Sequence, residues 1–274
     1  MTPEDIPIRL KQGNLRALIT GASSGIGEAT AWEFVRQGVT VVLVSEQEKA
    51  LISVAQSLCA AGGQASAMVV DLAQPEQVVG LIARAESESG PLDILVNNAG
   101  IGMSASILET RQSDLRHLFE VNFFALAELS RQALAVMAPR GKGRILNVSS
   151  AAGCFGSPTI SAYSATKGAV HTFTQALRIE AREYGVLVGE VLPISVQTRF
   201  FDSVKGEKYR PQGRVLTAET VARSIVRNAL SRRLRAEILP YPALRIVFVL
   251  NAMWPDLLAR LAHWQYARSL RNAS

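Results

Sequence analysis

Six short runs rich in β-branched residues recur along the chain: LRALIT (15–20), TVVLVS (40–45), SAMVVD (66–71), DILVN (93–97), RILNVS (144–149) and VLVGEVL (186–192). The stretches between them, about 25–37, 49–61, 75–87, 113–138 and 163–184, have the length and apolar period of helices. Strand and helix in repeated alternation require right-handed crossovers, which build a parallel sheet covered on both faces. Runs such as VVLV, apolar without a break, fit strands buried on both sides. The expected fold is α/β, a three-layer doubly wound parallel sheet of about seven strands, with EIL (237–239) as the last. Thr217 is placed to cap a helix reaching about Ser231.

No linker, repeat or low-complexity tract interrupts the alternation, so one domain is expected over 1–242, followed by a helical extension over 243–274. With 48% hydrophobic and 19% charged residues, 274 positions hold a large core, and a disordered chain is excluded. Two cysteines, Cys59 and Cys154, and an opening MTPEDIPIRL without an apolar core point to a reduced, cytoplasmic protein. The net charge of +6 is uneven: residues 1–198 carry 15 basic and 18 acidic side chains, residues 199–274 carry 14 and 5. Such an end suits phosphates, an acidic carrier protein or anionic lipid, and equally a set of solvated arginine-rich helices. No nucleic-acid partner is expected. His117, His171 and His263 keep no ligand spacing with one another or with the cysteines, so no metal is expected. Cys154 reads as a small buried hydrophobe.

The first strand leads straight into TGASSGIG (20–27) and then into a helix. Gly21, Gly25 and Gly27 make a tight turn, let the backbone approach a pyrophosphate and let the helix pack closely on its strand. The N–H groups at the helix start then face the anion. Between strand one and helix one of a parallel sheet, this turn predicts a dinucleotide site. Glu46 closes the second strand, 19 residues after Gly27. There its carboxylate can bind both ribose hydroxyls of the adenosine half and repel an added phosphate. Ser24 offers that phosphate no base. NAD is the expected cofactor, and Lys49, near in sequence, leaves NADP open.

SAYSATKGAV (161–170) sets Tyr163 and Lys167 four residues apart, on one face of a helix. A free phenol, with a pKa of ~10, exchanges protons poorly at neutral pH. A neighbouring ammonium, aided by an oxidised nicotinamide ring, stabilises phenolate and brings the group toward working range.

Together with VVDL (69–72), NNAG (97–100), EVNFFA (120–125), NVSS (147–150) and PISVQT (193–198), these motifs make the chain resemble the short-chain dehydrogenase/reductase superfamily in its common single-domain form. The resemblance covers roughly residues 13–240. It implies a Rossmann fold and a tetrad of Asn122, Ser150, Tyr163 and Lys167. Tyr163 would be the acid/base, and Lys167 would lower its pKa and hold the nicotinamide ribose. Ser150, thirteen residues before the tyrosine, would bond the substrate oxygen in preference to Ser149. Asn122 would hold a water near Lys167. In the cofactor surface the resemblance places Gly21, Ser23, Ser24, Gly25, Ile26 and Gly27 at the phosphates, with Glu46 at the ribose. It places Asp71 and Leu72 at the adenine, and Asn98, Ala99 and Gly100 along the ribose. Pro193, Val196 and Thr198 complete the nicotinamide end beside Tyr163 and Lys167. One position departs: the family's usual glycine after Pro193 is Ile194, which is strained if it needs φ > 0 and otherwise narrows the pocket.

The polar stretch 199–215 has the length of a lid. Residues 243–271 read as an amphipathic helix started by Pro255, docked on the domain, on a partner or on a membrane surface. The expected activity is hydride transfer between a nicotinamide cofactor and a secondary alcohol or ketone on an apolar substrate, in a homodimer or homotetramer. Its rivals are an NADPH-dependent 3-oxoacyl thioester reductase and a cofactor-sensing protein without turnover.

Overall fold

A computed structural model of the chain describes residues 15–198, 200, 205–206 and 214–271. It opens with β1 (Arg16–Thr20), α1 (Gly25–Arg36), β2 (Thr40–Ser45), α2 (Glu48–Ala60) and β3 (Ala65–Val69). The short α3 (Pro75–Val78) and α4 (Leu81–Ser89) lead to β4 (Ile94–Asn97) and β5 (Met103–Ser104). Next come α5 (Gln112–Phe119), a π turn over Glu120–Phe124, α6 (Ala125–Met137) and β6 (Gly143–Val148). α7 (Ser161–Arg182) and β7 (Val186–Val191) precede the short strands β8 (Val196–Gln197), β9 (Lys205–Gly206) and β10 (Leu216–Thr217). The chain finishes with α8 (Ala218–Ala229), β11 (Glu237–Ile238), α9 (Leu244–Met253) and α10 (Pro255–Arg271).

Seven strands form one parallel sheet in the order β11-β7-β6-β4-β1-β2-β3. Along β1, Ala17 and Ile19 pack under α1, α2 and α8 with Phe34, Leu51 and Val221, while Leu18 packs on the opposite side with Leu81, Leu129 and Leu177. Both faces of the sheet are therefore covered, which is why its strands need no polar alternation. Strand order reverses between β1 and β4, and there the loops after their carboxyl ends splay apart to leave a crevice.

Three expected helices are subdivided. The stretch 75–87 breaks at Gly80, whose φ of 72° an α-helix does not admit. The stretch 113–138 contains the π turn, in which Ala125 N–H reaches back five residues to Glu120 O. Residues 243–271 form two helices, separated at Trp254 because the proline that follows excludes the helical conformation there. Thr217 caps α8 as expected, its Oγ1 accepting the Thr220 N–H at 3.3 Å. Most of the expected 199–215 lid lies outside the described residues; Lys205–Gly206 pairs in parallel with Met103–Ser104.

Candidate active site

The turn after β1 is held open by glycines whose missing side chains are filled by neighbours. A Cβ on Gly27 would lie 2.2 Å from Gly21 O and 2.7 Å from Asn98 Nδ2, so α1 meets β1 at a distance only glycine allows. Gly21, at φ 64°, would press a Cβ to 2.8 Å from Ala99 Cα. Gly25, at φ 60°, faces the Thr198 methyl at 3.1 Å. From β4, Asn98 N–H and Ala99 N–H both donate to Thr20 Oγ1 at 2.9 Å, and Asn98 Nδ2 donates to Thr20 O and Gly21 O. The two loops are thereby clamped together. No side chain caps α1 at Ser24, leaving the first turn open toward the crevice.

Glu46 is exposed at the crevice edge, between two residues that are fixed. Ser45 Oγ donates to Ser23 Oγ at 3.0 Å and accepts Gln47 N–H at 3.2 Å, and Ser23 Oγ donates to Gln47 Oε1 at 3.4 Å. Asp71 shapes its own turn, Oδ1 accepting Ala73 N–H at 2.8 Å, and Asp71 and Leu72 line the crevice.

Deeper in, β6 and α7 bring the proton-handling groups together. Ser149 and Ser150 both line the cavity; Ser149 is buried and its Oγ donates to Lys167 O at 2.9 Å, and the half-buried Ser150 accepts Ala152 N–H on its Oγ at 3.1 Å. Of the two serines, Ser149 has its hydroxyl hydrogen committed to a backbone carbonyl. Lys167 Nζ donates to Val148 O at 3.0 Å and lies 5.9 Å from the centre of the Tyr163 ring. Burial pushes the Lys167 ammonium down to about 8, against the opposing pull of the Glu190 carboxylate. Tyr163 also packs on Phe200, ring centres 5.8 Å apart.

The π turn directs Asn122 fully inward. Its Oδ1 accepts Ile101 N–H at 2.8 Å, and its Nδ2 donates to Ile101 O and Thr166 Oγ1, both at 3.0 Å. Asn122 thus pins the loop after β4 to α7. A Cβ on Gly100 would sit 3.2 Å from Asn122 Oδ1 and 3.4 Å from Lys167 Nζ, so the glycine keeps a small polar space beside both.

Pro193, Ile194, Val196 and Thr198 line the crevice together with Tyr163 and Lys167. Ile194 is unstrained, since Thr159 is the one residue besides glycine with positive φ among those described; it packs against the core and narrows the pocket. Except for Gly27 and the fully buried Asn122, which lie behind its wall, the expected site residues line one cavity of about 1910 Å³. Its far wall is α9 and α10, through Val247, Asn251, Leu258, Ala262 and Tyr266.

Several participants escaped the sequence reading. Asn97 and Asn147 are register partners on adjacent strands, and a buried relay runs from Asn97 Nδ2 to Asn147 Oδ1 and from Asn147 Nδ2 to Thr174 Oγ1. A polar residue in the same place in two apolar runs was the available signal. Glu190, 1% exposed, bonds His171, and it too stood out as a lone carboxylate in VLVGEVL. Thr159, with φ 64° at the cavity wall, gave no signal at all. Cys154, expected to be buried, is half-buried; burial, then Glu190 and Glu237, push its thiol up to about 12. Among the described residues no cluster of His, Cys, Asp and Glu could hold a metal ion.

The family model described as short chain dehydrogenase matches residues 16–208. The chain belongs to the short-chain dehydrogenase family. Like other short-chain dehydrogenases it is an oxidoreductase that works with NAD or NADP on CH–OH groups. A ketoacyl reductase, HetN of Nostoc sp., is 36% identical over 176 residues, which are 64% of this chain and 61% of that protein's length. A Burkholderia phymatum short-chain dehydrogenase solved in complex with NAD superposes with a TM-score of 0.80 at 28% identity, over 89% of this chain and 95% of that one. A Sphingobium yanoikuyae short-chain dehydrogenase solved with NADPH gives 0.77 at 27% identity, over 89% and 95%. Short-chain dehydrogenases of both cofactor types thus share this framework.

Proposed function

We propose that this short-chain dehydrogenase interconverts a secondary alcohol and a ketone on an apolar substrate, with NAD as the preferred cofactor. One observation carries the reading: a single cavity joins the glycine cradle, the Tyr163 and Lys167 pair and the apolar wall of α9 and α10. The cradle fits a dinucleotide, because Cβ atoms at Gly21, Gly25 and Gly27 would fill it or force its loops apart. A nicotinamide held there would supply the hydride chemistry, as acceptor from the carbinol carbon in oxidation and as donor to the carbonyl carbon in reduction.

The chain's own residues handle the proton and the oxygen. Ser150 donates its hydroxyl hydrogen to the substrate oxygen, and Tyr163 removes the hydroxyl proton in oxidation or returns it in reduction. Lys167, held by Val148 O, presents its charge to the phenol, which favours phenolate. The space beside Gly100, between Asn122 Oδ1 and Lys167 Nζ, is where a water would continue the proton path. Glu46 binds the ribose hydroxyls of NAD and repels the phosphate of NADP. Phe124 and Ile179, exposed at the start of the α6 rod and on α7, suit pairing of two copies.

The test is Tyr163→Phe, assayed with a series of secondary alcohols and ketones of rising chain length and with both cofactor pairs. Expected are unchanged cofactor affinity, turnover reduced by roughly 10²–10⁴, and wild-type kcat/KM rising with chain length. Retained turnover in the variant would remove Tyr163 from its role. The same assay weighs the thioester-reductase reading, favoured by the basic C-terminal quarter: preference for NADPH and for 3-oxoacyl thioesters would put that reading first.

A further inference from the structure

Helices α9 and α10 carry two apolar stripes that meet different surroundings. Leu258, Ala262 and Tyr266, four residues apart, face the cavity and are half-buried. Leu257, Leu261 and Trp264 lie on another stripe that faces solvent, and the exposed face continues through Ile246, Val249, Met253 and Trp254. These seven side chains, all on two consecutive helices and the residue joining them, are 49% to 64% exposed, a concentration of exposed apolar residues of the kind that marks a contact surface. Val247 and Leu261 belong to both surfaces, lining the cavity while remaining more than a third exposed. The apolar face therefore runs into the cavity mouth.

The charge of the segment has one sign. Residues 243–271 contain four arginines against a single carboxylate, Asp256. Arg268 sets its guanidinium 5.5 Å from the centre of the Trp264 ring, a cation at the border of the apolar face. A second copy of the chain laid on this face would set arginine against arginine. Arg245 is paired with Glu237 at 3.5 Å; an anionic lipid surface would set Arg260 and Arg268 against headgroup phosphates, with tryptophans at the level they favour. No helix among the described residues is long and apolar enough to cross a membrane, so the contact is with one leaflet.

We propose that α9 and α10 seat the protein on an anionic lipid surface, with the cavity mouth at Val247 and Leu261 opening toward the acyl chains. Delivery of substrate from the bilayer rests on the apolar-substrate reading above; docking does not.

The experiment is flotation of the full chain with vesicles of phosphatidylcholine alone or mixed with phosphatidylserine, using wild type, Leu257→Asp and Trp264→Gln. Neither substituted residue lines the cavity, so both variants are expected to keep wild-type NADH affinity. Wild type is expected to float with the mixed vesicles, with binding roughly tenfold weaker when phosphatidylserine is omitted and about tenfold or more weaker in Leu257→Asp. Wild type left at the bottom of the gradient with mixed vesicles overturns the proposal, as does equal flotation of both variants. A smaller oligomer in sedimentation velocity for Leu257→Asp also overturns it, by showing that a second copy covers this face. Loss of turnover on every secondary alcohol with flotation intact counts against the proposed reaction alone.

Discussion

His171 Nδ1 lies 2.7 Å from Glu190 Oε2, joining β7 to the same face of α7 that carries Tyr163 and Lys167. The bond raises the His171 pKa, aided by the charges of Glu190 and Glu237 and opposed by burial and Arg178. A raised pKa means the pair's stabilisation is complete below the ordinary imidazole value of ~6.5 and fades as pH climbs through the folded value. His171→Gln is therefore expected to cost about 1–2 kcal/mol at acid pH, with the gap to wild type narrowing above pH ~6.5. Urea unfolding across this range measures it, and a gap that ignores pH would disprove the account.

Lys167 works in the opposite sense. Its pKa falls from 10.5 to about 8 on folding, so between those values the unfolded chain holds more proton and stability rises with pH. Relative to Lys167→Met, wild type is expected to gain about 3 kcal/mol on going from pH 7 to above pH 10. Tyrosines and other lysines common to both proteins cancel in the comparison. Parallel pH profiles of unfolding free energy would show that Lys167 is not buried as a titrating group.

Gly27→Ala drives a methyl into Gly21 O and Asn98 Nδ2 and is expected to destabilise by about 1–3 kcal/mol. Because the displaced atoms belong to the cradle, calorimetric titration should show cofactor affinity reduced by roughly tenfold or more. Gly156→Ala is the control, since its Cβ would meet nothing within 4 Å. Equal effects of the two substitutions would separate the cradle from cofactor binding.

Glu46→Arg exchanges a repelling charge for an attracting one beside the ribose. NADP affinity relative to NAD is expected to rise by about tenfold or more. An unchanged ratio would show that selection lies elsewhere, with Lys49 the first residue to test.

The sheet was legible because strands covered on both faces are mostly apolar, as VVLV and ILV are, and because they alternate with stretches of helical period. The cradle was legible because its glycines are required by geometry that only glycine satisfies. The π turn was not, since Gln112–Met137 keeps one apolar period through it, and the extra residue shows only in the bond from Ala125 to Glu120. Ser150 could be preferred over Ser149 only by spacing, and the bond from Ser149 Oγ to the Lys167 carbonyl could not be foreseen. The far wall was legible only as one of three dockings, because amphipathicity fixes which side of α10 is apolar but not what that side meets.

The position of β1 has a consequence for biogenesis. It is made before every other strand described, yet it ends in the middle of the sheet, paired with β2 and with a strand whose partner residue Ile94 follows Ala17 by 77 positions. Until β4 is synthesised and inserted, one edge of β1 is an unpaired row of backbone donors and acceptors, open to illegitimate pairing. The loops that must confront each other across the crevice come from both sides of that insertion. Nucleotide can therefore reward only the finished sheet, stabilising the end of folding by mass action while leaving its slow non-local steps unaided.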